Sequence, residues 1–161
     1  MALLRRHAIE LLADVRTVPR SRRMPWFARE ELSESLPAAG IAYEHLGELG
    51  GFRRPRPDSP NRGWRVDAFR GYADAMDSAP WRAALAQLTA MATERHTAVM
   101  CAEAQWTRCH RRLIADALVV RGWQVCHIAA SGRTEPHALT PFAVVAGDRL
   151  TYPPEQTSLG L

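Results

Sequence analysis

The sequence predicts an α/β protein in which a mostly parallel sheet carries helices on both faces and a β-hairpin follows at the C-terminus. Short apolar runs alternate with segments whose apolar residues recur every three or four positions, a pattern typical of strands joined by helices. Connections of this kind return each strand in the same direction, so the sheet is expected to be largely parallel. Two strand-like runs at 142–145 and 149–152, separated by Ala146-Gly147-Asp148, predict the hairpin.

The N-terminal half begins with an apolar run at 9–13, which predicts a buried strand. A helix is expected over 27–39, where Pro37 must end or kink it because proline has no N–H to donate. Residues 41–46 alternate in polarity and predict a second strand. A helical region is then expected over 68–94, interrupted by its single proline.

The C-terminal half continues the alternation with a strand over 97–101, a helix that ends at Gly122, and a strand over 124–128. Cys126 lies inside this last apolar run and is expected to be a packed core thiol. In a parallel sheet the carboxyl ends of the strands meet at one edge, so polar residues at those ends should approach one another. The residues concerned are Asp14, Arg16, Cys101 and His127.

Length and composition favour a single domain spanning 1–161. A chain of 161 residues can bury one core, and a hydrophobic content of 47% excludes a disordered protein. No apolar run approaches the roughly 20 residues that a membrane span needs, and charged residues interrupt the first twelve positions, unlike a signal peptide. A cytoplasmic protein without membrane association is therefore expected, with its three cysteines present as reduced thiols.

The chain is basic, with a net charge of +4 and a pI near 9.5. All 21 of its Lys and Arg residues are arginine. The planar guanidinium suits phosphate and carboxylate groups, although the codon bias of a GC-rich genome would produce the same composition. The charge therefore favours an anionic partner, either a small molecule or a nucleic acid.

The densest group of reactive side chains lies at 101–111, between a predicted strand and a predicted helix. This turn holds no Gly, Asn, Asp or Pro, the residues that a simple chain reversal would use. Strand-to-helix turns at the carboxyl edge carry the chemistry of many α/β proteins. The candidate catalytic residues are Cys101, Glu103, Cys109 and His110.

Cys101 is the expected nucleophile of this turn. A thiol at a strand end, facing helix N-terminal amides and Arg108 or Arg111, would be stabilised as the reactive thiolate. Glu103 or His110 would then serve as general acid or base. The order of strand, cysteine, arginine and helix loosely resembles rhodaneses and cysteine phosphatases, although six residues separate Cys101 from Arg108 where those enzymes use five.

A transition-metal site is the alternative for the same turn. Thiol and imidazole groups are ligands for zinc or iron rather than for magnesium or calcium. The spacing argues against this alternative, because structural zinc sites usually pair ligands two to four residues apart. The candidate ligands are Cys101, Cys109 and His110, joined by Glu103 and completed by His127 or His137.

Seven residues are candidates for substrate binding: Asp14, Arg16, Arg20, Arg22, Arg53, Arg65 and Arg111. Asp14 and Arg16 follow the first predicted strand, where a structural ion pair is the other interpretation. Residues 50–65 form a loop rich in Gly, Pro and Arg, whose length favours either a ligand-gripping lid or a plain solvated loop. Trp26 and Trp64 would either stack on rings or bases, or be buried.

Several segments together resemble one family of domains of unknown function, DUF488. They are LLADVRTVPRSR from Leu11, LGGFRRP from Leu49, SPNRGWR from Ser59, FRGYAD from Phe69, and MCAE from Met100 together with CHR from Cys109. The resemblance runs from Leu3 to Tyr152 and is specific to this family. No activity is assigned to the family, so the resemblance implies a domain type rather than a reaction.

The resemblance also implies two departures from the family pattern. Family members usually begin with an extra strand that bears a Gly-His-Ser-like turn, and this chain starts after it. The family's Asn-Pro-X-Phe-Asn segment reads Met24-Pro-Trp-Phe-Ala28 here. A sheet without its first strand would expose an edge that tends to recruit another chain. A homodimer is therefore expected, with residues 1–6 near its interface or packed as a helix.

The sequence thus predicts an enzyme that uses a thiol on an anionic substrate, with nucleotides and nucleic acids as candidates. Two other classes remain open. One is a transition-metal-binding protein that uses Cys101, Cys109 and His110 as ligands. The other is a non-catalytic nucleic-acid-binding module built on the arginine-rich loops.

Overall fold

Residues 1–154, the part of the chain that the computed structural model describes, contain five α-helices and seven strands. The last seven positions of the predicted domain, 155–161, lie outside the described residues. The helices are α1 Ala2–Arg6, α2 Arg29–Ala38, α3 Asp67–Ala75, α4 Ala79–Glu94 and α5 Arg111–Val120. The strands are β1 Leu11–Asp14, β2 Ala42–His45, β3 Thr97–Met100, β4 Cys126–Ile128, β5 Thr134–Pro136, β6 Val144–Ala146 and β7 Arg149–Thr151.

The central sheet is parallel and has the order β2-β1-β3. Leu11 pairs with Ala42 on one side and with Thr97 on the other, and the last residue of β1, Asp14, pairs with His45 and Met100. The three strands are in register, so they end together at one edge. The predicted carboxyl edge is therefore present, and the chain leaves it through the loops that begin at residues 15, 46 and 101.

Helices cover both faces of this sheet, as predicted. Leu12 packs with Leu32 and Leu36 of α2, and Leu4 of α1 adds to that cluster. Leu11, Ala13 and Val15 project to the other face, because successive strand residues alternate between faces. They join a larger core with side chains from the last three helices, among them Tyr72, Trp81, Leu85, Leu113 and Ile114.

Proline positions explain two helix boundaries. Pro80 lies in the first turn of α4, where its missing N–H costs nothing, and Ser78 caps that turn by accepting a hydrogen bond from the Trp81 amide. The predicted interruption near this proline is the break between α3 and α4. Pro37 lies one residue from the end of α2. The expected helix at residues 1–6 is present as α1, and none of the helices in residues 1–154 is long and apolar enough to cross a bilayer.

The strand expected at 124–128 is shorter and differently placed than predicted. It is β4, and it pairs antiparallel with β5, so it is not part of the parallel sheet. The two strands are only five residues apart and Gly132 adopts a positive φ of 81° between them, so a local pair closes a short loop at low entropic cost. Cys126 is exposed on this pair, and its prediction as a core thiol was wrong.

The C-terminal hairpin is confirmed. Strands β6 and β7 pair antiparallel, with Val145 opposite Leu150. Gly147 has a φ of 63° in the connecting turn, a conformation that glycine adopts without steric cost. Leu150 and Tyr152 are buried and attach the hairpin to the larger core.

Candidate thiol site

Two cysteine sulfurs meet where β3 ends and α5 begins. Cys101 directly follows the last residue of β3, and Cys109 directly precedes His110, the N-cap of α5. A 3-10 turn at Trp106–Arg108 bends the intervening loop back on itself. The Sγ atoms of the two cysteines consequently lie 3.0 Å apart. Both are free thiols, Cys109 buried and Cys101 half-buried.

The Cys109 sulfur is surrounded by groups that stabilise negative charge. The backbone N–H of Arg111, in the first turn of α5, lies 3.5 Å from it, and the Nε of the same residue lies 3.4 Å from it. His110 Nδ1 is 3.7 Å away. The N-terminal amides of a helix and a guanidinium both favour an anion over a neutral group.

His110 is held in one orientation by the first strand of the sheet and by a glycine. Its Nε2 lies 3.2 Å from the backbone oxygen of Val15, so this nitrogen carries the hydrogen and Nδ1 is left to face Cys109. A Cβ atom on Gly51 would lie 2.5 Å from His110 Nδ1, which means that only glycine leaves room for the imidazole here. The ring also packs against Tyr72, with the centroids 5.1 Å apart.

The two thiols have opposite pKa shifts. The hydrogen bond with Cys101 lowers the pKa of Cys109, burial opposes that effect, and His110 and the Arg111 amide add to the lowering. The hydrogen bond with Cys109 and burial both raise the pKa of Cys101. Both shifts favour the charged form of Cys109, the thiol beside Arg111, over the charged form of Cys101.

Arg111 also ties the loop together. Its Nη2 donates to the backbone oxygen of Glu103, two residues after Cys101. The carboxylate of Glu103 is exposed and accepts a hydrogen bond from the backbone N–H of Gln105 at 3.2 Å, while the Glu103 N–H lies 3.4 Å from the Cys101 sulfur. Among the predicted catalytic residues, the structure thus brings Cys101, Cys109 and His110 together and leaves the Glu103 carboxylate on the outer side of the loop.

The same three residues offer ligand atoms to a metal ion. One ligand atom each from Cys101, Cys109 and His110 lie within 4.8 Å of one another. A Cys₂His set with one open position is known from catalytic zinc sites, and the second imidazole nitrogen of a zinc ligand commonly donates to a backbone carbonyl, as His110 does to Val15. The sequence spacing argued against a metal, but the loop folds back and brings the ligand atoms together despite it.

Asp14 and Arg16 occupy the same edge of the sheet but its opposite face. Asp14 follows Leu12 on the face covered by α2, whereas Cys101 packs with Val15 and the core of the other face. Both residues are buried and form an ion pair, in which Arg16 Nε lies 2.8 Å from Asp14 Oδ1, and Tyr43 donates its hydroxyl to the same carboxylate at 2.7 Å. Burial acts to raise the pKa of Asp14, but hydrogen bonds from Arg16 and Tyr43 outweigh it and hold that pKa below its ordinary value.

The other predicted binding arginines differ in how freely they can reach a ligand. Arg20, Arg22 and Arg65 are exposed, and their side chains make no hydrogen bond or ion pair within residues 1–154. Arg53 is half-buried and donates to the backbone oxygens of Glu48 and Gly50, so its guanidinium holds its own loop.

The arginine-rich loop at 50–65 is anchored over its second half. Asp74 of α3 accepts hydrogen bonds from Ser59 at 2.6 Å, from Asn61 at 2.7 Å and from the Arg56 N–H at 2.8 Å. Trp64 is buried among aromatic rings of the C-terminal hairpin and α3. Of the two tryptophans that could have stacked on a ligand, Trp64 is a core residue, and Trp26 is 61% exposed.

A hydrogen-bonded network of Asp116, His137 and His127 lies next to the site and was not predicted from the sequence. Asp116 of α5 accepts a hydrogen bond from His137 Nε2 at 2.8 Å, and His137 Nδ1 lies 2.9 Å from His127 Nε2. His127 stacks in parallel on Trp106, which lies in the loop between Cys101 and Cys109, with 3.7 Å between the ring centroids. Trp106 donates its indole N–H to Glu135. These residues come from the loop between the two cysteines, from α5 and from the β4–β5 region. No spacing in the sequence could therefore have revealed the network.

The contacts of His127 and His137 correct two expectations from the sequence. His127 lies near the thiol site, although not through the end of a parallel strand, since β4 lies outside the central sheet. His127 and His137 bond to each other and to Asp116, and they do not join the ligand cluster of Cys101, Cys109 and His110 within the described residues.

Comparison with known proteins gives one match. A family model described as "Domain of unknown function DUF488" matches residues 1–118, which include β1 to β3, both site cysteines and most of α5. Residues 119–152, which the sequence resemblance also covered, lie beyond this match. No curated protein and no solved structure matches the chain.

Proposed function

Since the chain belongs to the DUF488 family, whose description names no activity, we propose from its site that it is a thiol-dependent enzyme acting on an anionic substrate. The observation that carries the proposal is the environment of the Cys109 sulfur. One thiol, one backbone amide and one guanidinium converge on that atom, at 3.0, 3.5 and 3.4 Å. Hydrogen-bond donors and a positive charge around one sulfur stabilise its thiolate form.

Cys109 is assigned the nucleophilic role, in place of Cys101, which the sequence favoured. An ordinary cysteine is only a few per cent ionised at pH 7, so a nucleophilic cysteine needs a lowered pKa or an adjacent base. Arg111 and the first turn of α5 contact the Cys109 sulfur and stabilise its thiolate, and the Cys101 sulfur lies 3.0 Å from the same atom. Within residues 1–154 no guanidinium donates a hydrogen bond to the Cys101 sulfur.

His110 is assigned the role of general acid and base. Its Nδ1 faces Cys109, and Val15 fixes its tautomer from behind, which is the arrangement of nucleophile, base and orienting group found in covalent catalysis. In the forward step His110 takes the proton of the attacking thiol. In the return step the same nitrogen delivers a proton to the leaving group.

The anionic substrate is inferred from the exposed arginines. Arg20 and Arg22 follow β1, and Arg65 ends the loop that follows β2, so all three belong to segments that leave the carboxyl edge of the sheet. A nucleic acid would contact several of them and bind with a steep salt dependence, whereas a small phosphorylated molecule would show a shallow one. Titration of a single-stranded oligonucleotide and of a nucleoside monophosphate across salt concentrations distinguishes the two kinds of substrate. If neither binds, the proposal of an anionic substrate is contradicted.

The thiol assignment is tested by alkylation. Cys126 is exposed and would compete for reagent, so the measurement uses Cys126→Ser protein, iodoacetamide as a small reagent, and peptide mass spectrometry to follow Cys109. We expect Cys109 labelling to persist well below pH 8.5, the ordinary pKa of a thiol. Arg111→Ala removes the guanidinium and should shift the labelling profile to higher pH.

The control is Arg108→Ala, which removes an exposed arginine of the same loop that makes no hydrogen bond to either sulfur within the described residues. It should leave the profile unchanged. Labelling of Cys109 with the profile of an ordinary thiol, insensitive to Arg111→Ala, would contradict the proposal.

Metal binding is the second candidate function. The observation that favours it is the convergence of three ligand atoms within 4.8 Å, with the tautomer of His110 already suited to coordination through Nδ1. Cys101, Cys109 and His110 would hold the ion, and zinc fits the thiolate and imidazole set. Elemental analysis of the purified protein distinguishes the candidates. One transition-metal ion per chain, lost in Cys109→Ser but retained in Cys126→Ser, would support a metal site and contradict the thiol nucleophile.

A further inference from the structure

We infer that Cys101 and Cys109 form a two-cysteine redox centre that reduces a hydroperoxide and closes to a disulfide. The inference rests on the nucleophile of the proposed function, Cys109, and goes beyond that function, because its oxidant is an uncharged hydroperoxide and it gives Cys101 a role. Its basis is the contact of two free thiols that come from different elements of the fold, one after β3 and one before α5. A second free thiol in contact with a nucleophilic cysteine is positioned to resolve an oxidised intermediate.

The two sulfurs are close enough to bond after a small movement. Their separation of 3.0 Å has to shrink by about 1 Å to reach the length of a disulfide. Cys101 is attached to the exposed residues Ala102–Gln105, and that part of the loop can follow the sulfur without disturbing the core. Cys126 is not part of the cluster and lies on β4.

Access determines the class of oxidant. Cys109 is only 3% exposed, which favours a small oxidant such as a hydroperoxide over a bulky disulfide. The half-buried Cys101 forms the outer side of the pair. Arg111, which contacts the Cys109 sulfur through Nε, lies where it would also stabilise the oxygen that leaves.

The reaction balances in two steps. The Cys109 thiolate attacks the terminal oxygen of the hydroperoxide, so that an S–O bond forms, the O–O bond breaks, and the other oxygen leaves as alkoxide or hydroxide. This oxygen takes the proton that His110 had removed from the Cys109 thiol. Cys101 then attacks the sulfenic acid on Cys109, so that the S–S bond forms, the S–O bond breaks, and the hydroxyl leaves as water with the Cys101 proton. Two thiols are oxidised to a disulfide while the peroxide is reduced by two electrons. A dithiol reductant reverses the change by thiol–disulfide exchange.

The experiment treats the full chain with one equivalent of hydrogen peroxide and counts free thiols. We expect the three free cysteines to fall to one, with a disulfide-linked peptide pair that contains Cys101 and Cys109 and a free Cys126. Dithiothreitol should restore all three. Peroxide consumption in the presence of excess dithiothreitol should continue beyond one turnover.

Variants separate the two roles. In Cys101→Ser the oxidation should stop at a sulfenic acid on Cys109, which dimedone traps, and turnover should be lost. In Cys109→Ser, the remaining Cys101 should react with peroxide no faster than the exposed Cys126. Cys126→Ser is the control and should behave like the unmodified chain.

Each outcome is decisive. A disulfide between Cys101 and Cys109 that needs both residues supports the inference. Direct oxidation of Cys109 to a sulfinic acid in the unmodified chain, or a peroxide reaction no faster than that of Cys126, would overturn it. If Cys109 still alkylates at low pH in that case, the proposed thiol enzyme stands while the redox centre fails. Loss of both reactivities removes both proposals.

Discussion

His110 Nε2 lies 3.2 Å from the backbone oxygen of Val15, and this contact connects the first strand of the sheet to the thiol site. Because a carbonyl can only accept a hydrogen bond, the imidazole keeps its hydrogen on Nε2 and presents Nδ1 to Cys109. The orientation of the ring is therefore set by a residue 95 positions away in the chain. Gly51 leaves room for the imidazole, because it has no Cβ atom to collide with the ring.

Gly51→Ala should disturb the site through His110. The added Cβ would lie 2.5 Å from His110 Nδ1, so the imidazole must move away from Cys109, and crowding of this kind costs about 1–3 kcal/mol of stability. We expect slower alkylation of Cys109 at neutral pH together with that loss. Gly63→Ala is the matched control, because its Cβ would meet the backbone oxygen of Pro153 at 2.5 Å and its nearest neighbours include no atom of His110 and neither sulfur. It should lower stability without changing Cys109 labelling, and equal labelling in both variants would contradict the role of Gly51.

Asp14→Asn should destabilise the protein at neutral pH. It leaves Arg16 buried without its ion-pair partner, and breaking a buried pair in this way typically costs about 3–5 kcal/mol. The pKa of Asp14 is lowered in the folded protein, so its carboxylate contributes fully above pH 4 and the contribution is lost as the pH falls further. Urea denaturation should therefore show a large difference between variant and original at pH 7 and a smaller one at pH 3. Asp58→Asn is the control, because the Asp58 side chain is 84% exposed in its ion pair with Arg56. It should change stability by no more than about 1 kcal/mol.

His127 should remain neutral far into the acidic range. Burial lowers its pKa to about 4, His137 and Arg111 act in the same direction, and Glu135 opposes them. Histidine titration followed by NMR should place the midpoint of His127 near that value. Arg111→Ala should raise the midpoint because it removes a positive charge, and Glu135→Gln should lower it. A midpoint near 6.5 would mean that His127 does not sit against Arg111 and His137 as described.

Asp116→Ala should be among the most destabilising changes in α5. Its carboxylate accepts hydrogen bonds from His137 and Tyr152 and from the Thr140 N–H, all at 2.8–2.9 Å. Each buried donor left without an acceptor costs about 1–3 kcal/mol, so a loss of at least about 3 kcal/mol is expected in denaturant unfolding. The variant should also loosen the support of Trp106 through His137 and His127. Asp148→Ala, at an ion pair where the aspartate is 65% exposed, is the control, and it should cost at most about 1 kcal/mol.

The sequence by itself determined the fold class, most elements and the turn that holds the candidate thiol site. Apolar periodicity survives in these segments because a covered sheet needs long apolar runs and a helix packed on it needs one apolar stripe. The turn at 101–111 was identified because it lacks turn-forming residues and concentrates reactive ones. Local composition is enough for conclusions of this kind, and the family match over residues 1–118 confirms the family that the sequence motifs indicated.

Only the tertiary structure decided which of those residues meet. Asp14 and Cys101 both stand at strand ends, yet the two-residue period of the strand directs them to opposite faces, and that depends on register. Strand β4 satisfies its backbone with the neighbouring β5, so Cys126 is exposed rather than buried. The contacts of His110 with Val15 and of Asp116 with His137 join residues far apart in the chain. Such contacts come from packing between elements, and a pattern in neighbouring residues carries no record of them.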